Sequence, residues 1–265
     1  MDANPSDVSS SGVILEALKG IPLIAPGDDL AAAIQAAAVR SGLQFRDSDV
    51  LVVAQKIVSK AENRIVRLCD VTPSPRALKL ATETGKDSRV VELILRESTE
   101  VLRARPGLII VVHRLGIVLA NAGIDQSNVA GGEECVLLLP ADPDRSAATL
   151  REALRLRSSV DLGIVVNDSI GRAWRSGTIG TAIGVAGLPA LLDLRGTRDL
   201  YGRVLRSSVV GHADEIAAAA SLLQGQAQEG TPVVLVRGLE RRGVAGRGAD
   251  LVRPRAEDLF LTRPT

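Results

Sequence analysis

Cysteine and aromatic residues are scarce in this sequence. Its two cysteines, Cys69 and Cys135, lie far apart and neither belongs to a Cys-x-x-Cys pair, which argues against both a disulfide framework and a structural zinc site. One tryptophan, one tyrosine and two phenylalanines are the whole aromatic content. The core must therefore consist mainly of valine, leucine, isoleucine and alanine, and stacking of bases on aromatic side chains is not expected as a main mechanism.

An excess of charge of either sign is also absent. Lysine and arginine total 32 against 31 for aspartate and glutamate, a formal net charge of +1, so no general nucleic-acid-binding surface is expected. No stretch approaches the ~20 consecutive apolar residues that a membrane-spanning helix needs, and the start of the chain lacks the pattern of a signal peptide. We therefore expect a cytoplasmic protein that binds neither nucleic acid nor membrane.

The length of 265 residues suits one large domain or two interlocked ones. Residues 1–12, rich in Ser, Asp, Asn and Pro, are expected to form a disordered tail. Residues 13–240 are expected to form the folded domain, and the Arg- and Gly-rich residues 241–265 a C-terminal tail with no predicted element.

Hydrophobic periodicity and turn residues predict several helices and strands. The predicted helices span 29–38, 76–84, 88–102 and 144–157, and an alanine-rich helix follows residues 212–215 and runs to about 223; the expected N-caps are Asp28 or Asp29, Asp87 or Ser88, and Asp214. The predicted strands span 49–54, 108–113, 117–120, 162–166, 179–187 and 232–236. The glycines that punctuate 179–187 predict that another backbone segment packs closely against this strand.

The most informative run is 163–177, where an apolar strand is followed by Asp168, Ser169, Arg172 and Arg175. Ligands commonly bind at the carboxyl ends of sheet strands. Asp168 is suited to a hard cation, and the arginines are suited to phosphate or carboxylate oxygens. The alternative is a solvated turn that Asp168 caps.

Two further segments carry polar groups suited to ligands. Asp125 and Asn128 place oxygen donors three residues apart in a turn-forming sequence, which suits a metal or a nucleotide hydroxyl, although a structural Asx-turn explains them equally well. Lys56 and Lys60 are four residues apart, so on a helix they would share a face and could meet one anion. Two solvated lysines are the alternative.

Six ordered motifs together resemble the coenzyme F420 gamma-glutamyl ligase family, whose members add glutamate to the precursor of a deazaflavin coenzyme. The resemblance extends from Ile21 to Leu239. Its motifs are 20–24 followed by 27–30; 58–62; 121–125 with 127–129; 167–169 with 171–172; 199–203; and 213–217. It implies an α+β subunit with mixed and antiparallel sheets and flanking helices, in an intertwined homodimer that binds GTP and Mg²⁺ or Mn²⁺, with K⁺ as a further candidate.

The resemblance also implies site residues. The expected GTP contacts are Ile21, Pro22, Leu23, Ile24, Gln55, Lys56, Lys60, Asn128, Gln224, Gly225, Gln226, Ala227, Gln228, Glu229, Gly230 and Thr231. The expected metal ligands are Asp125, Asp168 and Ser169. Gln226 stands where the family usually has a metal-binding glutamate, so the second metal site depends on this neutral amide or on Glu229 nearby. Ala54-Gln55 is a second departure, where some members have a small hydroxylated pair.

The chemistry fits the same residues. Joining a carboxylate to an amine in water is uphill, so the carboxylate of the F420 precursor is expected to become an acyl phosphate before the amine of L-glutamate attacks it. Asp125 and Asp168 would hold metal, Lys60 would neutralise phosphate, and Arg172 or Arg175 would hold an acidic group of the acceptor or glutamate. Asp125, Asp168 and Arg172 are thus the expected catalytic residues.

Two other functions remain open at this point. A metal-dependent hydrolase would use the same carboxylates to activate water, but its usual histidine-rich ligand set is absent from the sequence, and His113 and His212 are expected to be structural. A catalytically weakened nucleotide-binding protein is suggested by Gln226.

Overall fold

The computed structural model describes residues 12–129, 131–240 and 243–261. The helices are α1 (Leu30–Arg40), α2 (Gln55–Ala61), α3 (Pro75–Thr84), α4 (Ser88–Arg96), α5 (Pro143–Ser158) and α6 (His212–Gln224). The strands are β1 (Ile14–Ala17), β2 (Val50–Ala54), β3 (Ile65–Arg67), β4 (Ser98–Arg105), β5 (Leu108–His113), β6 (Val118–Ala120), β7 (Cys135–Leu137), β8 (Gly163–Arg172), β9 (Arg175–Ala186), β10 (Leu192–Asp193), β11 (Val209–Val210) and β12 (Val233–Arg237). The fold is α+β with mixed and antiparallel sheets, as expected.

A five-stranded sheet in the order β1-β12-β2-β8-β9 forms the centre of the molecule. β2 and β8 run parallel, with Val52 opposite Val165, and the other pairs are antiparallel. The first four residues of β2 are all buried because helices cover both faces of the sheet, which explains the unbroken apolar run.

The two faces of this sheet have separate cores. On one face, side chains of α1, α2 and α5 pack with Leu51, Ile164 and Val166. On the other, the small residues of α6 pack with Val52, Val165 and other sheet residues. In β9, a Cβ at Gly180 would collide with the backbone of α6 and one at Gly184 with that of α5, which confirms the predicted close approach of backbone to this strand.

A three-stranded sheet, β4-β5-β6, packs with α3 and α4 around Val91, Ile94, Ile109 and Val111. Its junction with the centre of the molecule contains Glu97, whose carboxylate accepts hydrogen bonds from Arg64 at 2.9 Å and Arg114 at 3.0 Å. The two arginines also bind the carbonyl oxygens of Leu139 and Ala141.

The prediction of one helix over 88–102 is wrong beyond Arg96, because α4 ends there and β4 begins at Ser98. Val101 pairs with Val111 of β5, and β-branched residues favour such pairing. Glu97 lies in the turn between α4 and β4. Ion pairs from its carboxylate to Arg64 and Arg114, which are distant in sequence, stabilise this turn.

Two more local predictions are corrected. Asp214 is not the N-cap of α6; the cap is Gly211, and the Asp214 carboxylate instead accepts a hydrogen bond from the backbone N–H of Ala182 at 2.9 Å. The strand predicted over 162–166 continues to Arg172, because it forms a hairpin with β9 in which Arg172 lies opposite Arg175. Asp168 therefore lies within a strand and does not cap a turn.

Other expectations hold in the described residues. Asp29 and Asp87 cap α1 and α4, and the predicted hairpin strands become β5 and β6. The expected disordered tail, 1–12, lies outside the described residues except for Gly12. Of the expected C-terminal tail, residues 243–261 are described; they contain short 3-10 turns and pack against the domain, where the Asp144 carboxylate accepts hydrogen bonds from Gly248 and Ala249.

Among the described residues, no helix is both long and apolar enough to cross a membrane.

Candidate active site

Helix α2, which begins directly after β2, carries two cations on one face. Gln55 begins the helix directly after Ala54, and Lys56 and Lys60 lie one turn apart on one face. The Lys56 ammonium lies 2.6 Å from the Asp125 carboxylate and donates a hydrogen bond to Ser127 Oγ at 2.7 Å. Lys60 donates to the carbonyl oxygen of Asn128 at 2.6 Å. Both lysines are thus engaged with the 125–128 turn, which excludes the interpretation of two merely solvated side chains.

The 125–128 turn contains a structural Asx-turn and also presents a carboxylate oxygen to a cation. Asp125 Oδ1 accepts a hydrogen bond from Ser127 N at 2.7 Å, which is an Asx-turn, while Oδ2 faces Lys56. Burial alone would raise the pKa of Asp125, but hydrogen bonds from Lys56 and Ser127 outweigh that effect and lower it. Asp125 is therefore an anion in the free protein.

Asp168 lies on β8 beside the same group. Burial, together with the negative charge of Asp125, raises the pKa of this carboxyl to about 6 against the opposing influence of the Ser169 N–H, Lys56 and Gln55. Asp125, Asp168, Lys56 and Gln55 thus form one electrostatic cluster. Two carboxylates that disfavour each other's charge are suited to a shared cation.

The donor set fits a hard divalent cation that keeps several non-protein ligands. In the described part of the chain, no three His, Cys, Asp or Glu side chains converge as a ready metal cage. Asp125 and Asp168 supply two carboxylates, and the exposed Ser169 adjoins Asp168. Mg²⁺ is commonly bound by one or two carboxylates together with waters and substrate phosphates, so the residues fit this use.

The loop after α6 reaches the same cluster through Asn128, whose side-chain amide donates to the carbonyl oxygen of Ala227 at 3.3 Å. Gln226 is exposed. The Glu229 carboxylate accepts a hydrogen bond from Ala227 N at 2.8 Å, and backbone N–H groups of its own loop lower its pKa. Glu229 therefore stabilises the loop, whereas Gln226 faces solvent.

Other residues of this loop form hydrogen bonds that stabilise the fold. The Gln224 side chain exchanges hydrogen bonds with Asn167 and donates to the carbonyl oxygens of Val52 and Pro232. Thr231 Oγ1 donates to the carbonyl oxygen of Leu223 at 2.7 Å. Gly225 and Gly230 both have positive φ, and Gln228 is exposed between them.

The 21–24 segment borders the core beside α2. Ile24 is buried in the same core cluster as Ile57 of α2, and Ile21 packs against that cluster. Pro22 is exposed, and Leu23 is 96% exposed. Gly27, which follows the segment, donates to the carbonyl oxygen of Ala61 at the end of α2.

Arg172 is not brought to the carboxylates. It follows Asp168 by four residues on an extended strand, a separation of about 13 Å, and its guanidinium contacts the carbonyl oxygen of Gly177 at 3.4 Å. Its neighbours are Arg175 and Trp174 at the tip of the hairpin.

Sequence reasoning missed two partners. Ser127 holds Lys56, and the Asn167–Gln224 amide pair ties β8 to the end of α6. Asn167 was part of a recognised motif, but its partner is distant in sequence. His113 is completely buried, and its Nδ1 accepts a hydrogen bond from Leu115 N at 3.1 Å, which agrees with the expected structural role.

Comparison with known proteins gives one consistent result. The model of the F420-0:Gamma-glutamyl ligase family matches residues 20–238. The coenzyme F420:L-glutamate ligase of Methanothermobacter thermautotrophicus is 45% identical over 251 residues, which cover 94% of this chain and 99% of that protein. The proteins of the same name from Methanopyrus kandleri and Archaeoglobus fulgidus are 45% and 44% identical, and each match covers 92% of this chain.

Proposed function

Because the chain belongs to the F420-0:gamma-glutamyl ligase family, we propose that it joins the amine of L-glutamate to the carboxylate of the coenzyme F420 precursor F420-0 in a GTP-dependent reaction. The carboxylate first accepts the terminal phosphoryl group of GTP, which leaves GDP. The glutamate amine then attacks the acyl phosphate, and phosphate departs as the amide forms.

One observation carries this proposal: two lysines, two carboxylates and the 125–128 turn meet at the ends of β2 and α2. Phosphoryl transfer between two anions needs positioning and charge neutralisation more than covalent help from the protein. A site with cationic side chains beside a pair of cation-binding carboxylates meets that requirement.

The chain's own residues have distinct parts in this account. Asp125 and Asp168 would hold Mg²⁺ or Mn²⁺, which when bound supplies positive charge against the phosphates. Lys56 neutralises Asp125 in the free protein. When a metal cation neutralises Asp125 instead, the Lys56 ammonium is placed to turn toward a phosphate. Lys60 fixes the 125–128 turn through Asn128 and adds positive charge at the same place.

The nucleotide is proposed to lie between α2 and the 224–231 loop. Exposed polar groups of Gln226 and Gln228 face solvent there, and Asn128 joins the loop to the lysine-bearing side. K⁺ remains a further candidate cation in the same groove.

A homodimer is part of the proposal. The turn between β10 and β11 exposes Leu200 and Tyr201 almost completely, at 102% and 87%. The turn is nevertheless ordered by the Asp199 carboxylate, which accepts hydrogen bonds from Tyr201 N and Arg203 N. An ordered turn that presents apolar side chains to solvent suits contact with a second copy.

A catalytically weakened nucleotide-binding protein is the second candidate, because Gln226 brings no charge and the Glu229 carboxylate is engaged with its own loop. Mass spectrometry after incubation with F420-0, glutamate, GTP and Mg²⁺ or Mn²⁺ separates the two. A mass increase of one or more glutamyl units, lost when any component is omitted, supports the ligase. Bound but unconsumed GTP would support the weakened protein, and GTP loss without acceptor or glutamate would indicate a hydrolase.

A further inference from the structure

Two of the chain's few aromatic side chains meet at the tip of the β8–β9 hairpin. The rings of Trp174 and Phe260 have centroids 4.8 Å apart and an interplanar angle of 63°, the edge-to-face arrangement that aromatic pairs favour. Both remain largely in solvent, at 81% and 66% exposure. Since the chain has only one tryptophan and two phenylalanines, this exposed pair is a concentrated apolar surface.

Arg253 lies beside this pair, and two further arginines flank the hairpin turn that carries Trp174. The Arg253 Cζ atom lies 5.9 Å from the centroid of the Phe260 ring, and Arg172 and Arg175 lie opposite each other in the hairpin register on either side of the turn. Among the described residues, Arg172 donates to the backbone carbonyl oxygen of Gly177 at 3.4 Å. The tip thus offers flat apolar surface and arginine side chains together.

We propose that this cluster of Trp174, Phe260, Arg172, Arg175 and Arg253 binds the flat ring and the phosphate of the acceptor, with the ring on Trp174 and Phe260. A planar ring with an anionic tether is complementary both to exposed aromatic faces and to guanidinium groups. This inference rests on the proposed function, because that function supplies an acceptor with a deazaflavin ring.

The position of the cluster relative to the carboxylates supports this occupant. The reacting carboxylate of the acceptor lies at the far end of a phosphate-containing chain from its ring. β8 separates Asp168 from Arg172 by about 13 Å, so an extended acceptor along the hairpin reaches from the aromatic pair to the metal-binding carboxylates. The arginines between the two ends are then placed for the phosphate, which is an acidic group of the acceptor, as expected for Arg172 or Arg175.

Equilibrium ultrafiltration of the acceptor with the wild-type protein and three variants tests the inference. Trp174→Ala should weaken acceptor binding roughly ten-fold, the usual effect of removing one stacking ring, and Trp174→Phe should restore most of the affinity. Leu156→Ala, at a residue that is 71% exposed on α5, is the matched control and should bind as the wild type does. GTP affinity, measured by calorimetry, should be unchanged in all three.

A second arm tests the guanidinium groups. Arg175→Gln should weaken binding of the phosphate-bearing acceptor several-fold and leave binding of a deazaflavin ring compound without phosphate unchanged, because a phosphate–arginine contact is lost. If both ligands bind to this variant as to the wild type, the role of the arginines in phosphate binding is overturned.

The outcomes also separate this inference from the proposed function. Wild-type ligation with unchanged acceptor affinity in Trp174→Ala overturns the inference and leaves the function standing. Tryptophan-dependent acceptor binding without ligation supports the inference and contradicts the function. A loss of GTP affinity in Trp174→Ala, with acceptor binding intact, would assign the aromatic pair to the guanine base and overturn the inference.

Discussion

The Lys56 ammonium lies 2.6 Å from one oxygen of the Asp125 carboxylate, and Ser127 N donates to the other oxygen at 2.7 Å. One aspartate therefore joins the helix that follows β2 to a turn more than sixty residues away in the sequence. Because Lys56 already compensates its charge, Asp125 is paired in the free protein. In the proposed reaction, a metal ion bound there would compete with this lysine, and the released ammonium would become available to phosphate.

Replacing either carboxylate should remove ligation. Asp125→Asn and Asp168→Asn should each lower kcat by ~10²-fold or more, because a charge contact that stabilises the transition state is lost. The measurement is the rate of glutamyl addition at saturating metal, with circular dichroism to confirm folding. Near-normal turnover in both folded variants would remove them from the site.

Lys60→Ala should weaken GTP binding more than glutamate binding. Its ammonium binds the Asn128 carbonyl oxygen, so the substitution removes positive charge and loosens the turn that adjoins the nucleotide. Calorimetry should show about ten-fold lower GTP affinity, the size of effect given by one lost charged hydrogen bond. Lys79→Ala, an exposed residue on α3, is the control; equal GTP affinity in both variants would place Lys60 outside the nucleotide site.

Gln226→Glu should lower the Mg²⁺ or Mn²⁺ concentration needed for half-maximal activity, because hard cations bind more tightly as ligand charge increases. Glu229→Gln should leave that concentration unchanged, since the Glu229 carboxylate is used by its own loop. Metal titrations of both variants beside the wild type test this. A raised metal requirement in Glu229→Gln alone would make Glu229 the ligand, and no shift in either would remove the loop from the metal site.

The metal requirement should depend on pH. Burial, reinforced by the negative charge of Asp125, raises the pKa of Asp168 to about 6, so above that pH the carboxylate is ready to bind metal and below it a proton must first leave. The metal concentration for half-maximal activity should be nearly constant above pH 6 and should increase about ten-fold per pH unit below it. A flat profile from pH 7 to 5 would contradict this assignment.

Acid should destabilise the junction at Glu97. Although burial alone would raise its pKa, the His113 imidazole 3.6 Å away, the hydrogen bond from Arg114 and the charge of Arg64 bring the pKa of Glu97 to about 2. A depressed carboxyl pKa contributes stability above the ordinary pKa near 4.5, and that contribution is lost as the pH falls toward 2.

The contribution of Glu97 is roughly 2–3 kcal/mol at neutral pH. Glu97→Gln should therefore unfold at lower urea concentration than the wild type at pH 7, and the difference should shrink by pH 3. Urea denaturation at the two pH values measures it, and an equal difference at both would show that the charge of Glu97 is not responsible.

The sequence predicted the parts of the fold that depend on local patterns. β2 was predictable because all five of its residues are apolar, and α1 because Asp29 caps a run with helical spacing. The end of α4 was not, because Glu97 is held by Arg64 and Arg114, whose positions depend on the tertiary fold. The length of β8 was underestimated because polar residues continue to pair with β9.

In the candidate site, too, the sequence identified individual residues but not the contacts that depend on the tertiary fold. Lys56, Lys60, Asp125 and Asp168 were identified from residue type, spacing and resemblance, but their pairing depends on how α2 meets the 125–128 turn. Arg172 follows Asp168 by four residues in the sequence, but the extended strand β8 separates the two in space. Trp174 was part of the same informative run, but its partner Phe260 lies in a segment with no predicted element.

The most direct test of the central account uses F420-0 labelled with ¹⁸O in its carboxylate. The purified protein is given this acceptor, glutamate, GTP and Mg²⁺, and both the deazaflavin product and the released phosphate are analysed by mass spectrometry. The account predicts a glutamyl mass increase in the product and one ¹⁸O atom in the phosphate for each amide bond formed, because the acyl phosphate breaks at the labelled oxygen. Glutamyl addition with unlabelled phosphate, or phosphate release without glutamyl addition, would contradict it.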